Sequence, residues 1–332
     1  MSELQIGLLA IGVLVVGGVL AYNRIQERRA RHDAERAFGS GHDDVLLGMP
    51  GGPLQGAAPS LAPAPQHLPA TAVPAGDIEP DRAIDYIVEF ASTEPGSQAT
   101  VREQWGAIER RHGKRALLSL APDGKTWRAG LQLVSRDGAI GEADIIEFRS
   151  AVETLAAAIG GTVSAPEMRA AVDAARDLDG LCAETDIQLV VHVQGGPFAG
   201  AKIRATAEAA GLVLEPDGKF AQRTDGRLLL YTLAVRDGAP FTDASLRDAV
   251  TAGLTLALDV GRAPDTRRTF ESMARLAHHL AAGLGGSIVD DNGSTLDERA
   301  VLAIAQQLDT VGARLEARGI LPGSPTALRL FS

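Results

Sequence analysis

Two short clusters of polar side chains are the first places to look for chemistry: the adjacent histidines His278 and His279, and the acidic run that begins at Asp290. Neighbouring residues of a helix point about 100° apart, so the two imidazoles cannot bind one metal ion as an i, i+4 pair would. We expect both histidines to face solvent. The pair therefore predicts no metal centre.

The run from Asp290 to Gly293 resembles the beginning of a calcium-binding loop. Counted from Asp290, the twelfth position is Val301, where such a loop needs a bidentate glutamate, and the glycine falls two places early. The alternative is a turn that caps the last helix through Ser294, with Asp297 in the place of the capping-box acid. We favour the turn.

Composition also argues against catalysis and against nucleic-acid binding. The sequence has no glycine-rich phosphate loop, no G-x-S-x-G elbow and no Cys/His pair with usable spacing. A net charge of -10 and a pI near 5.2 are the opposite of a phosphate-binding surface. Cys182, placed in a connection between a helix and a strand, is the single cysteine and agrees with a reducing compartment. We predict a binding protein without metal or cofactor, rather than a membrane-bound hydrolase.

An apolar stretch from Leu4 to Tyr22 predicts a transmembrane anchor over residues 1–22, because a helix of this length spans roughly 28 Å. Four arginines follow it, and the positive-inside rule then places the N-terminus outside and everything downstream in the cytoplasm. These residues are Arg24, Arg28, Arg29 and Arg31. The basic residues of a signal peptide would precede the apolar run, so we expect an uncleaved anchor and a single-pass membrane protein.

A flexible connection separates the anchor from the folded part. Residues 23–38 form a basic juxtamembrane segment, which either binds anionic lipid through its arginines or is simply a solvated helix extension. Residues 39–77 are rich in Pro, Ala and Gly, which predicts a disordered linker with a root-mean-square span of roughly 35 Å. The folded part can therefore search a volume beneath the membrane.

A first set of elements occupies residues 78–184, which we call the first repeat. Alternating apolar residues in IDYIVEF predict a half-buried strand, and Trp105 is expected in the core. The predicted elements are, in order, a strand at Ile84–Phe90, a helix at Ala99–His112, strands at Ala116–Leu120 and Trp127–Ser135, a helix at Ala143–Ile159, a strand at Thr162–Val163 and a helix at Pro166–Leu178.

The same order recurs in residues 185–318, the second repeat. Its predicted elements are a strand at Asp186–Gln194, a helix at Ala199–Gly211, strands at Leu212–Leu214, Lys219–Arg223, Leu228–Arg236 and Leu254–Val260, a helix at Asp265–Leu284, a strand at Ser287–Val289 and a helix at Ser294–Arg318. Gly195-Gly196-Pro197 is interpreted as an ordinary loop. The role of the tail, residues 319–332, stays open.

The segments AVETLAAAIGGTV (151–163) and RLAHHLAAGLGGSI (275–288) share their apolar spacing, a double glycine and a following β-branched residue. We infer an internal duplication. The order of strands and helices predicts the α+β class, with two split-βαβ repeats whose antiparallel sheets carry helices on one face.

Strand alternation divides the second repeat into two faces. The side chains expected to point toward the helices are Leu189, Val191, Val193, Tyr231, Leu233, Val235, Leu254, Leu256 and Leu258. The opposite, open face carries Gln188, Val190, His192, Lys219, Ala221, Arg223, Thr232, Ala234, Arg236, Thr255 and Ala257.

The order of anchor, basic segment, Pro/Ala-rich linker and C-terminal domain resembles the ZipA family of bacterial cell-division proteins. The segments that carry the resemblance are LVVHV (189–193), LLLYTLAVRDG (228–238), GLTLALDV (253–260) and LAAGLGGSIVDDNGSTLDERAV (280–301). The first repeat departs from the single-domain plan of that family.

This resemblance implies that the open face holds the C-terminal peptide of FtsZ, the tubulin-like division GTPase, and so ties the division ring to the inner membrane. The residues implied to contact the peptide are Val190, His192, Lys219, Arg223, Thr232, Ala234, Arg236, Thr255 and Ala257. Asp217, Lys219, Arg236 and Ala257 replace apolar groups of the family. We expect Lys219, Arg223 and Arg236 to compensate by pairing with acidic residues of the partner.

An alternative stays open. A membrane-tethered adaptor of the same fold would recruit a different division or envelope protein, for example through the first repeat.

Overall fold

The computed structural model describes residues 78–332, apart from 93–96, 137 and 226–227. The anchor predicted at Leu4–Tyr22, the four arginines that follow it and the linker lie outside the described residues. Among the helices within that range, none combines the length and the apolar character needed to cross a bilayer.

The first repeat forms a four-stranded antiparallel sheet in the order β2-β3-β1-β6. Its elements are β1 (Asp85–Ala91), α1 (Ser97–His112), β2 (Ala116–Leu120), β3 (Thr126–Gln132), β4 (Val134–Ser135), β5 (Gly138–Ala139), α2 (Glu142–Ala158), β6 (Thr162–Ser164) and α3 (Met168–Thr185). Helix α1 packs Val101, Trp105 and Ile108 into the core beneath the sheet, and Trp105 is buried there as expected.

The second repeat forms a six-stranded antiparallel sheet in the order β12-β7-β11-β10-β9-β8. Its elements are β7 (Gln188–Ala199), α4 (Gly200–Ala209), β8 (Val213–Leu214), β9 (Phe220–Thr224), β10 (Leu228–Val235), α5 (Ser245–Asp248), β11 (Val250–Asp259), α6 (Thr266–Leu284), β12 (Ser287–Val289) and α7 (Glu298–Glu316). A short helix, α8 (Pro325–Leu330), follows in the tail. Helix α6 buries Phe270, Met273 and Leu280 against the sheet.

The two sheets share one plan. The order β6-β1-β3-β2 corresponds strand by strand to β12-β7-β11-β10, and the second sheet adds β9 and β8 at one edge. The registers agree too: Ala91 of β1 pairs with Thr162 and Thr126, as Gln194 of β7 pairs with Ser287 and Gly253. The α+β class with antiparallel sheets is therefore confirmed, and the shared register supports an internal duplication.

The double glycines have the same two roles in both repeats. In Gly160-Gly161 and Gly285-Gly286 the first glycine ends a helix in the left-handed region, with φ of 59° and 74°. A Cβ on the second glycine would lie 2.8 Å from the carbonyl oxygen of Ala91 in one repeat and of Gln194 in the other. The pair therefore stops the helix and lets the next strand approach the sheet closely.

One helix is longer than predicted. Helix α3 continues past Leu178 to Thr185 in spite of Gly180, because Leu181 and Cys182 pack against the core and Thr185 is buried. Cys182 therefore lies inside this helix and not in a connection, which corrects the interpretation made from the sequence. Burial raises the pKa of its thiol to about 12.

Strands β7 and β11 also extend beyond their predicted ends. The segment Gly195-Gly196-Pro197, interpreted as a loop, belongs to β7, because Phe198 pairs with Thr251 and is buried in the core. The register shifts between Thr251 and Gly253. The long strand therefore bends without ending.

The last helix of the second repeat begins later than predicted. The carboxylate of Asp297, not the hydroxyl of Ser294, caps it by accepting a hydrogen bond of 2.8 Å from Ala300 N. Ser294 is instead held by the preceding turn, where its carbonyl accepts from Asp290 N at 2.9 Å and its N–H donates to Asp290 Oδ1 at 2.7 Å. The turn predicted from the acidic run is present, but its capping residue was assigned wrongly.

The tail joins the two repeats. Leu330 and Phe331 belong to the core of the first repeat, although they follow the whole second repeat in the chain. The Phe331 carbonyl accepts a hydrogen bond of 3.0 Å from Arg136 of the first repeat and another of 3.0 Å from Arg262 of the second. The tail is therefore packed and contributes to both halves.

Candidate protein-binding face

Strand register brings most of the predicted site residues together on one face of the second sheet. His192 lies beside Thr255, which in turn lies beside Ala234. Val190 lies beside Ala257, which lies beside Thr232. None of these side chains belongs to the core cluster beneath the sheet. Of the nine side chains predicted to point inward, eight belong to it, and the ninth, Leu189, is partly buried and packs against it. We call this surface the outer face.

His192 lies at the centre of the outer face, and both nitrogens of its ring contact neighbouring side chains. Its Nδ1 shares a hydrogen bond of 2.9 Å with Thr255 Oγ1, and its Nε2 lies 3.3 Å from Asp291 Oδ1. The ring is only 8 % exposed, so its orientation is fixed. Asp291 belongs to the acidic run, which thus supports the outer face through this contact.

The floor of the face is made of small side chains. Ala234, Thr255 and Ala257 are half-buried, whereas Thr232 and Ala221 are each only 3 % exposed because their neighbours enclose them. Small side chains in the middle of the face allow a partner to approach the backbone of the sheet closely. The accessible surface of this floor is correspondingly modest.

Two apolar residues of the face escaped the sequence analysis. Val289 pairs with His192 and is buried, and Leu229 is the cross-strand partner of Arg223 and lies outside the core cluster. Val289 sits in a three-residue strand whose register no local pattern reveals. The register of β10 shifts between Leu229 and Tyr231, so simple alternation misplaces Leu229.

The three predicted cations lie around the rim, and two of them already have partners within the chain. Arg236 Nη1 donates to Gln194 Oε1 at 2.8 Å, with its aliphatic stem lying over Gly253. Arg223 Nε donates to Glu215 Oε1 at 2.9 Å. Lys219 stands just before β9 and is half-buried. The exposed Arg236 is thus the cation most available to a partner, since its present bond is to a neutral amide.

One end of the outer face is acidic. Asp259 pairs with Gln188 at the end of β11, and burial raises the pKa of its carboxyl to about 6, against the opposing effect of Arg262, whose Nε lies 3.8 Å from Asp259 Oδ2. Its other oxygen, Oδ1, is buried without a hydrogen-bond partner among the described residues. This carboxyl lies next to the seam between the repeats.

The corresponding face of the first sheet is different. Glu89 and Arg128 of the first sheet occupy the positions that His192 and Thr255 have in the second. Arg128 Nε lies 3.4 Å from Glu89 Oε1. Gly130 occupies the place of Ala257, and a Cβ there would lie only 2.6 Å from the Pro80 Cβ. The first sheet therefore covers this face with its own preceding segment and with an ion pair.

The histidine pair lies on α6, away from the outer face. His278 and His279 are both exposed on α6, as expected. Over the part of the chain that the structure describes, no three His, Cys, Asp or Glu side chains converge as metal ligands.

These features define a class: an α+β protein-binding module whose antiparallel sheet is covered by helices on one face and open on the other. Residues 186–307 match the family model of the ZipA C-terminal FtsZ-binding domain. The second repeat is thus similar to a domain of division proteins that binds FtsZ. No curated protein matches the chain.

Proposed function

We propose that this protein binds the C-terminal peptide of FtsZ on the outer face of its second repeat and tethers the division ring to the inner membrane. One observation carries the proposal. Of two sheets with the same plan, the one that matches the FtsZ-binding family is the one whose face is not filled by the chain's own Pro80.

Apolar contact on this face would be limited. Val190, Ala257 and the buried Val289 offer small side chains, and each 100 Å² of apolar surface that a peptide covers contributes about 2.5 kcal/mol before the cost of association. We therefore expect the apolar contacts alone to give a weak complex.

Charged residues at the rim would supply the remaining binding free energy. Arg236 and Lys219 lie near the floor and would attract acidic residues of the peptide, while Asp291 and Asp259 would repel them at the other side. This polarity fixes the direction in which an acidic peptide lies. Exposed charge pairs are screened by salt, so the affinity should fall as ionic strength rises.

The membrane part of the proposal comes from the sequence. Residues 1–22 would anchor the protein, Arg24, Arg28, Arg29 and Arg31 would face anionic lipid, and the linker would keep the second repeat at high effective concentration beneath the membrane. A weak peptide contact is sufficient under these conditions, because each FtsZ filament offers many copies of the peptide.

The test is a titration of a labelled FtsZ C-terminal peptide into the full chain in detergent. We expect saturable binding that weakens at least about tenfold in Ala257→Asp, which puts a charge on the floor, and in Arg236→Glu, which reverses the rim cation. The matched controls are Ala282→Asp on the exposed side of α6 and Arg247→Glu in α5, and both should bind normally.

Absence of saturable binding, or equal losses in the control variants, would refute the peptide site. The membrane proposal has a separate readout: the full chain should sediment with membranes and resist extraction by carbonate. A chain without residues 1–22 should stay in the supernatant.

A further inference from the structure

The first sheet ends at an edge strand, whereas the second sheet carries two additional strands at the corresponding position. Strand β2 occupies the edge of the first sheet, in the place of β10 in the second. There β10 is followed outward by β9 and β8, whereas no other strand of residues 78–92 or 97–332, as far as they are described, pairs with the outer side of β2. The outer edge of β2 is therefore open to pairing with a further strand.

The backbone groups that point outward from this edge can be identified. Ala121 N–H donates to the Thr126 carbonyl at 2.7 Å, and in an antiparallel pair the bonded residues alternate. Leu117 and Ser119 therefore bond to β3, so that Leu118 and Leu120 direct their N–H and C=O groups away from the sheet. These four groups are a template for an added strand.

The side chains of β2 allow such an addition. The strand reads ALLSL and contains no proline and no charge that would block pairing. Leu118 and Leu120 pack against the core of the first repeat and are half-buried.

The charge around β2 indicates the kind of partner. The cations between residues 97 and 128 are Arg102, Arg110, Arg111, Lys114, Arg115, Lys125 and Arg128, and the acids are Glu103, Glu109 and Asp123. Two of these cations already pair with acids outside the range, Arg111 with Glu147 and Arg128 with Glu89, and the remaining five still outnumber the three acids. This excess of positive charge stands in a chain whose net charge is -10. Lys114 and Arg115 come immediately before β2, and Lys114 is exposed. An incoming strand with acidic residues would meet these cations at its end.

We propose that β2 binds an extended acidic peptide of a second protein by strand addition. The site is separate from the outer face of the second repeat. It would give the protein a second interaction surface.

A second copy of this chain fits the edge less well. Antiparallel self-pairing about Leu118 would bring Lys114 and Arg115 against the turn that contains Asp123. The carboxylate of Asp123 already accepts hydrogen bonds from the Lys125 and Thr126 N–H groups and from the Thr126 hydroxyl, at 2.7–2.9 Å. The same turn also carries the exposed Lys125, whose charge offsets that of Asp123, so Lys114 and Arg115 would face a turn of no net charge.

The experiment uses the full chain in detergent and a labelled octapeptide of alternating glutamate and valine. We expect saturable binding, with slower amide hydrogen exchange at Leu118 and Leu120 and unchanged exchange in β10. Reversing both cations in Lys114→Glu with Arg115→Glu should weaken binding at least about fivefold. The matched control reverses two exposed arginines elsewhere, in Arg268→Glu with Arg299→Glu, and should bind normally.

Two outcomes would overturn the proposal. If the same peptide with a methylated backbone bound equally well, attraction would be electrostatic only and no strand would have been added. If Leu118 and Leu120 were already protected without peptide, in a manner that rises with protein concentration, the edge would be an interface between copies of this chain.

Discussion

A buried ion pair between the tail and the first strand gives the sharpest test of how the repeats are held together. Arg329 Nη1 donates to Asp85 Oδ2 at 2.9 Å, and Nη2 donates to Asp85 Oδ1 at 2.7 Å. The arginine side chain is 7 % exposed and the aspartate side chain is 0 % exposed. The pair therefore stays intact only while both partners are present.

Replacing one partner, in Arg329→Met, leaves the Asp85 carboxylate buried with a remaining bond from Asp81 N at 2.7 Å. Breaking a buried pair in this way costs about 3–5 kcal/mol. With a urea dependence of about 2 kcal/mol per molar, the midpoint of unfolding should fall by roughly 2 M.

The assay follows tryptophan fluorescence during urea unfolding. The chain has two tryptophans, and Trp105 and Trp127 both lie in the core of the first repeat, so the signal reports on that repeat. Arg318→Met, at an exposed position, is the control and should change stability by less than about 0.5 kcal/mol.

The double variant Asp85→Leu with Arg329→Met removes both charges and should recover most of the loss, since an apolar pair of similar size fills the site. A single-variant loss below about 1 kcal/mol would refute the reasoning, because no buried charge would then have been left uncompensated. A double variant as unstable as the single would refute it too.

Three further predictions concern single positions. The folded-state pKa of Asp259 is about 6, above that of an unfolded aspartate, so the folded state binds this proton more tightly; stability should fall as pH rises from about 4 to 6. Thermal melts of Asp259→Asn should lack this part of the slope, and an unchanged pH profile would contradict it. Gly286→Ala should lower the free energy of unfolding by about 1–3 kcal/mol in urea titrations, because its Cβ would lie 2.8 Å from backbone and ring atoms. Gly283→Ala should instead raise the free energy of unfolding by up to about 1 kcal/mol, because a Cβ at this helix position would meet no other atom within 4 Å. Asp297→Ala should cost about 1 kcal/mol of thermal stability as the loss of a helix cap, and a larger loss in Ser294→Ala would restore the cap originally predicted.

Local patterns were sufficient for the order of elements and for the two faces of the second sheet. Alternation along β7, β10 and β11 placed Val191 inward and His192 outward, because the pleat has a period of two whatever the partner strand. The double glycines marked two helix ends, since their special conformation leaves a trace in the sequence itself.

What escaped the sequence depends on distant partners. Gly196 continues a strand because Val250 and Thr251 pair beside its segment, and such pairing has no local signature. Val289 joins the outer face through a three-residue strand. The cover on the first sheet is equally non-local, because Pro80 reaches Gly130 only after the sheet has formed.

The contribution of the tail to the first repeat also has a consequence for biosynthesis. Asp85 and its partner Arg329 are 244 positions apart, and the ribosome makes residues 78–184 well before Leu330 and Phe331 emerge. A nascent first repeat therefore waits with an incomplete core while the second repeat is translated. The first repeat is translated first but completes its core last. A chaperone would find the most exposed apolar surface on the chain during this interval.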